Sequence, residues 1–341
     1  MFSSAAAQVS TSSPARAIAV SQGSSPYVVA YPWSGSGFGT KYSNPATLPA
    51  GSARGVAFSP NGSAIAIAHL TSPFVTAYPW SYLGFGTKYS NPATLPIASG
   101  NSVAFSPASS ALAVAQSGSP YISVYPWSGS GFGTKYSDPA TPPTGAGNGV
   151  AFSPNGSYIA IAHDVSPYVS AYPWSGSSFG TQYSNPATLP TGGAESVAFS
   201  DSAIAVAHLG SPYVSTYPFS GSGFGTKYSD PVTLPTGNAI DVAFSPDNKA
   251  IAIGHGNAPY ISAYPWSGSG FGTKYSNPVP ALVSSTSCNF SPNSSNIAIV
   301  TGGSPYVVAY PWSGSGFGTK YSNPATLPAS SVTKVSWGII G

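Results

Sequence analysis

A ring of seven four-stranded β-blades, an all-β propeller, is the fold this sequence predicts, and three observations predict it. The first is the stretch 31–49, YPWSGSGFGTKYSNPATLP, which returns almost unchanged seven times along 341 residues. The second is the period. The proline of an SPY-like element falls at Pro26, Pro73, Pro120, Pro167, Pro212, Pro259 and Pro305, at steps of 47, 47, 47, 45, 47 and 46 residues, the length of one blade. The third is an audit of the ends. The N-terminal side supplies strands b, c and d with no strand a before them, and residues 332–337 supply a strand a with nothing after it. Together they complete one blade, so the ring closes with no element left over.

Each period carries four candidate strands. Strand a is VAFS, at 56–59, 103–106, 150–153, 197–200 and 242–245, degenerate at 288–291, and followed by turns such as Pro60-Asn61-Gly62. Strand b is AIAIAH, as at 64–69. Its alternation of Ile with Ala puts bulk on one face and small residues on the other, which suits stacking of a large face on the small face of the next sheet. Strand c is PYVVAYPW, as at 26–33, and leaves through a SGSG hairpin. Strand d is expected over GTKYSNPAT, as at 39–47, where a proline fits an outer edge. Lys41, Lys88, Lys135, Lys227, Lys274 and Lys320 recur in it, with Gln182 in the fourth copy, and edge lysines discourage edge-to-edge association.

Composition narrows the rest. Charged residues are 5% of the chain, against about a quarter in an average domain, yet 42% is hydrophobic and recurs in short blocks, so a core can form. Gly and Pro, 39 and 35 residues, interrupt any run of helical length. The net charge of +3 has no cluster behind it, which argues against a nucleic-acid surface. No apolar stretch approaches the ~20 residues of a membrane span, and residues 1–15 carry no secretory pattern. They are expected to be a flexible Ser/Ala-rich arm, and residues 16–341 a single propeller domain. The single cysteine, Cys288, stands where other copies have Val and reads as a buried filler.

The block VAFSPNGSAIAIAH, with a strand c ending in an aromatic, is similar to the VAFSPDG pattern of the WD-repeat family, over all seven units. The resemblance implies strand a along the axial channel, b–c and d–a loops on one face, and a–b and c–d loops on the other. FSPDG-like turns also occur in other propellers, lactonase-like ones included. The WD dipeptide itself is replaced by YPW, as at Tyr172-Pro173-Trp174, and the family's Gly-His and Asp are missing. The resemblance therefore implies architecture and no partner.

Chemistry is sparse. His69, His163, His208 and His255 share one slot at the end of strand b, with Gln22, Gln116 and Thr301 in the other copies. Substitution by Gln and Thr favours a polar group bonding the b–c turn over a metal ligand. Glu195 and Asp241 share the d–a loop neighbourhood of adjacent blades and could form a paired-carboxylate site across the channel; general acid–base work would want a further His, metal or cation in the same cleft. The GSGFG turns resemble part of a nucleotide fingerprint but no helix follows them. No catalytic, metal or cofactor residues are assigned.

The hairpin aromatics remain: Trp33 and Phe38, Trp80 and Phe85, Trp127 and Phe132, Trp174 and Phe179, Phe219 and Phe224, Trp266 and Phe271, Trp312 and Phe317. They serve either inter-blade packing or, at the c–d face, contact with a partner or glycan repeated around the ring. The expected function is a non-catalytic interaction or structural module with protein or surface-glycan partners and no cofactor. A phage virion decoration or tail-associated adhesion protein is the expected setting, a cytoplasmic one being compatible. Two alternatives are a multivalent lectin and a lactonase-like enzyme with one site at the channel mouth. An enzyme would break the repeat around a few charged residues. The breaks visible in the repeat are mild: Ser81-Tyr82-Leu83, the short turn at 200–203, and the Cys288 strand.

Overall fold

Seven antiparallel sheets follow one another around an axis in a computed structural model that describes residues 16–341. The expected arm at 1–15 lies outside the described residues. Five of the sheets have four strands, running from the inside outward as in Ala53–Phe58, Ala64–His69, Val75–Ser81 and Gly84–Phe85. In one of these five, the innermost strand Val332–Ile339 pairs with Arg16–Gln22, so the two ends of the described chain share the first blade. The other two sheets have three strands, their outermost pairing reduced to single bridges, Trp174 with Phe179 and Trp266 with Phe271.

Alternation on strand b decides how blades stack. Ala64, Ala66 and Ala68 of the second blade pack under Val103, Leu112, Val114, Tyr125 and Trp127 of the third, while Ile65 and Ile67 pack on Ala17 and Ala19 of the first. The same large-on-small seam recurs at every junction, so the core is seven interfaces rather than one centre. Tyr31 and its counterparts are fully buried at these seams. Each hydroxyl reaches a backbone carbonyl, as Tyr78 Oη does to Thr47 O at 2.7 Å, which satisfies the polar end of a buried ring.

The outermost strand differs from expectation. It is two residues long, as at Gly37–Phe38, and the GTKYSNPAT stretch after it is irregular. It lies along strand c on sparse bonds, Gly39 N to Pro32 O and Tyr42 N to Ala30 O, because proline removes donors from any ladder. Its Tyr42 instead caps the next blade, meeting Trp80 edge-on at 5.0 Å. The hairpin glycine follows from that contact: Gly84 sits at φ +93°, and a Cβ there would come within 2.9 Å of the Tyr42 ring.

The fourteen hairpin aromatics face their neighbours. The six indoles and Phe219 are 4–8% exposed. Trp33 meets Phe38, Tyr321 and Trp337 edge-on at 4.9–5.1 Å. Phe38, Phe85, Phe132, Phe179, Phe224, Phe271 and Phe317 are half-buried against the same seams. Edge-to-face pairs of this kind are worth about 0.5–1.5 kcal/mol each beyond their buried area, and their repetition accounts for the sameness of the motif.

Candidate functional site

Strand a begins earlier than its VAFS signature. The observed strands are Ala53–Phe58, Gly100–Phe105, Gly147–Phe152, Ala194–Phe199, Ala239–Phe244, Ser287–Phe290 and Val332–Ile339. In the ladder with strand b, Ala53 faces His69 and Gly55 faces Ala68, so Arg54 is the extra residue of a β-bulge. The same bulge ejects Asn101, Asn148, Glu195, Ile240 and Thr333, and Thr286 holds the equivalent place. A bulge re-aims a side chain out of the sheet. Here the seven side chains line one mouth of the axial channel, around a cavity of about 210 Å³.

Repeats that match nearly letter for letter elsewhere differ here. The bulge ring reads Arg, Asn, Asn, Glu, Ile, Thr, Thr, and the layer below reads Gly55, Ser102, Gly149, Ser196, Asp241, Ser287, Lys334. Four ring members tie blade to blade: Asn101 Nδ2 donates to Gly147 O at 3.0 Å, Asn148 Nδ2 to Ala194 O at 3.0 Å, Thr286 Oγ1 to Val332 O at 3.0 Å, and Thr333 Oγ1 to Ala53 O at 2.9 Å. Glu195 and Ile240 have no donor to make that bond, and Arg54 is exposed at the mouth. These three are the ring members free of a stitching role.

The layer below surrounds a second cavity of about 280 Å³. Asp241, 5% exposed, is saturated there. Its Oδ1 accepts Ser196 Oγ at 2.7 Å and Lys334 Nζ at 2.5 Å; its Oδ2 accepts Ser287 Oγ at 2.5 Å and the Cys288 amide at 3.1 Å. A carboxylate so occupied has no lone pair left to serve as a base; it anchors the Lys334 ammonium in the channel. On the opposite wall the strands approach closely, and a Cβ on Gly149 would fall 2.9 Å from Ser196 Cα.

Glu195 is the carboxylate with capacity to react. Half-burial pushes its carboxyl above the ordinary value, an effect that Lys334 and Arg54 oppose and Asp164 reinforces. The two carboxylates expected from sequence as a pair both face the channel but line different cavities, Glu195 the mouth and Asp241 the layer beneath it. Lys334 and Arg54 were missed, because the strand was read from its valine. Comparing the seven copies column by column over the two positions before that valine would have found them.

The histidines belong to a different place. His69, His163, His208 and His255 are fully buried at the b–c corner. Nε2 of each sits 2.9–3.1 Å from a strand c hydroxyl, on Thr76, Ser170, Ser215 and Ser262, and His163 Nδ1 lies 2.7 Å from Val165 O. Burial lowers His69, His208 and His255 to about 4, so they are neutral turn-bonding groups. Cys288 is buried in the seam between the sixth and seventh blades. Among the described residues there is no group of three or more metal-ligating side chains and no helix long and apolar enough to cross a membrane.

No family model matches the chain, and no curated protein does. Solved structures do. A periplasmic gluconolactonase of Pseudomonas aeruginosa superposes with a TM-score of 0.75 at 13% identity, covering 96% of this chain and 100% of that one. A Bacteroides fragilis protein provisionally named a 6-phosphogluconolactonase gives 0.74 at 11%, covering 96% and 99%. A Bacteroides uniformis protein of the same provisional name gives 0.72 at 14%, covering 95% and 100%. At such identity the likeness shows the fold. It corrects two expectations. The WD-repeat resemblance extends to the seven-bladed architecture and no further, the neighbours being lactonase-like propellers. Against the expected non-catalytic virion or adhesion module, the solved structures that share this fold are named a gluconolactonase or, provisionally, 6-phosphogluconolactonases, which speaks for the lactonase-like alternative instead. The charged departures from the repeat, Arg54, Glu195, Asp241 and Lys334, lie at the start of strand a and line the channel.

Proposed function

We propose that the chain is a lactonase-like hydrolase whose site is the bulge-ring mouth, acting on a small polar lactone such as an aldonolactone or its phosphate ester. One observation carries this reading: near-identical blades diverge at the ring and the layer beneath it, and Arg54, Glu195, Asp241 and Lys334 all gather there. A structural ring has no need to concentrate four of the chain's seventeen formal charges in one channel.

Lactone opening requires a water made nucleophilic, a stabilised oxyanion and a proton for the leaving oxygen. Glu195, raised by burial, takes a proton from water as the hydroxyl oxygen bonds to the lactone carbonyl carbon. The tetrahedral oxyanion faces the cations on the far side of the ring, Arg54 in the second blade and Lys334 in the first, three blades from Glu195 in either direction. Collapse breaks the ring C–O bond, and the departing alkoxide takes the proton back from Glu195, giving a hydroxy acid. Asp241 holds Lys334 in place and touches no substrate.

The test is acid release from gluconolactone, its phosphate ester and other aldonolactones, followed with a pH indicator against spontaneous hydrolysis. The expected result is saturable turnover that Glu195→Gln lowers by about 10²–10⁴-fold. Hydrolysis at the spontaneous rate across that panel, or full turnover by the Glu195→Gln protein, overturns the assignment.

A further inference from the structure

On the opposite face of the ring, we propose a binding site for a small aromatic amine in the seam between the fourth and fifth blades. Three departures from the repeat coincide there. Phe219 replaces the tryptophan found in the other six hairpins. The a–b turn of the same blade closes from Ser200 N to Ala203 O, two residues shorter than the turn from Ser59 N to Ala64 O. In the fourth blade Tyr158 replaces the alanine seen at Ala17, Ala64, Ala111, Ala203 and Ala250.

Tyr158 returns part of the lost volume, standing edge-on to Phe219 at 5.2 Å and to Tyr183 at 6.1 Å. It does not return all of it. A cavity of about 150 Å³ remains, walled by Tyr158, Phe199 and Phe219, with Ser153, Asn155 and Asp201 among its polar edges. A cavity of that volume has room for one six-membered ring, and its aromatic walls favour an aromatic guest through edge-to-face contact.

Asp201 sets the charge. It is the single ionisable carboxylate or cation lining the cavity, and it is held in place by Asn248, whose Nδ2 donates to Oδ2 at 2.8 Å and whose Oδ1 accepts the Asp201 amide at 3.1 Å. Its other oxygen has no bond from that partner. A six-membered ring bearing an ammonium one or two carbons away places the ring among Tyr158, Phe199 and Phe219, and the ammonium against Asp201 and the Tyr158 face.

The probe is benzylamine, with benzyl alcohol and glucose as comparators, titrated against the intact protein and read by chemical-shift changes and calorimetry. Benzylamine is expected to bind with a Kd on the order of a millimolar, to weaken about tenfold with Asp201→Asn and at high salt, and to lose its site when Phe219→Trp refills the seam. Asp201→Asn lies on an exposed turn and keeps the test alive if Phe219→Trp does not fold. Equal binding of benzyl alcohol, tighter binding of glucose, or no shift at 153–158 and 199–219 would each overturn the proposal. None of these readouts involves the channel mouth, so failure here leaves the hydrolase reading standing.

Discussion

Lys334, on the last strand of the chain, sets its ammonium 2.5 Å from the carboxylate of Asp241, 93 residues earlier and two blades away around the ring. Both ends are shielded, the side chains being 22% and 7% exposed. Breaking such a pair from one side leaves an uncompensated buried charge. Asp241→Ala or Lys334→Met should each cost about 3–5 kcal/mol in urea unfolding, and the double variant clearly less than their sum. Additive costs would show that the two groups do not interact in solution.

Glu195 should make the protein less stable at neutral pH, contrary to the usual carboxylate. Its folded pKa is raised, chiefly by burial, so the folded state holds the proton more tightly than the unfolded chain does. Stability therefore falls as pH rises from the ordinary carboxylate value through the raised one. Glu195→Gln should unfold at a higher temperature than the parent at pH 7, with the difference vanishing below the ordinary value. A pH-independent difference would contradict the assignment.

The histidines act at another pH. His69, His208 and His255 are lowered to about 4 by burial, while in the unfolded chain they take up protons near pH 6.5. Their contribution is intact above about 6.5 and lost as pH falls toward 4. Replacing all three by Gln, the residue native to the slot in the first and third blades, should flatten the midpoint–pH curve across that window.

Tyr158 and Phe219 compensate for one another across the seam. Phe219→Trp alone fills the cavity that remains beside Tyr158 and should change stability by less than about 1.5 kcal/mol. Tyr158→Ala alone enlarges the cavity and should cost about 2–5 kcal/mol. The double variant restores the alanine–tryptophan pair found at five of the other six seams, and its cost should fall well below the sum. A cycle with no coupling would mean that the short turn, rather than Tyr158, answers for the missing indole.

Period, residue alternation and the leftover strands at each end were enough to read the architecture, because a blade is local: all its strands but one shared set lie within a single repeat. The same logic made strand b legible to the residue, with Ala64–His69 expected and found. Strand d was overextended because a β-like composition was taken for a ladder that proline cannot sustain. At the site, sequence alone brought Glu195 and Asp241 into one neighbourhood. It could not divide their roles, since the donors that saturate Asp241 come from Ser196, Ser287, Cys288 and Lys334 on three other blades. Nor could it show that the residue before Gly55 is ejected by a bulge, which depends on the register between two strands. The motif YPWSGSGFGTKYSNPATLP was visible from the start, but only packing decided that its rings face the next blade. The sequence by itself determined the ring, because each blade is specified within its own repeat; the tertiary structure decided the site, because closing the ring is what brings one variable residue from every blade to a single mouth.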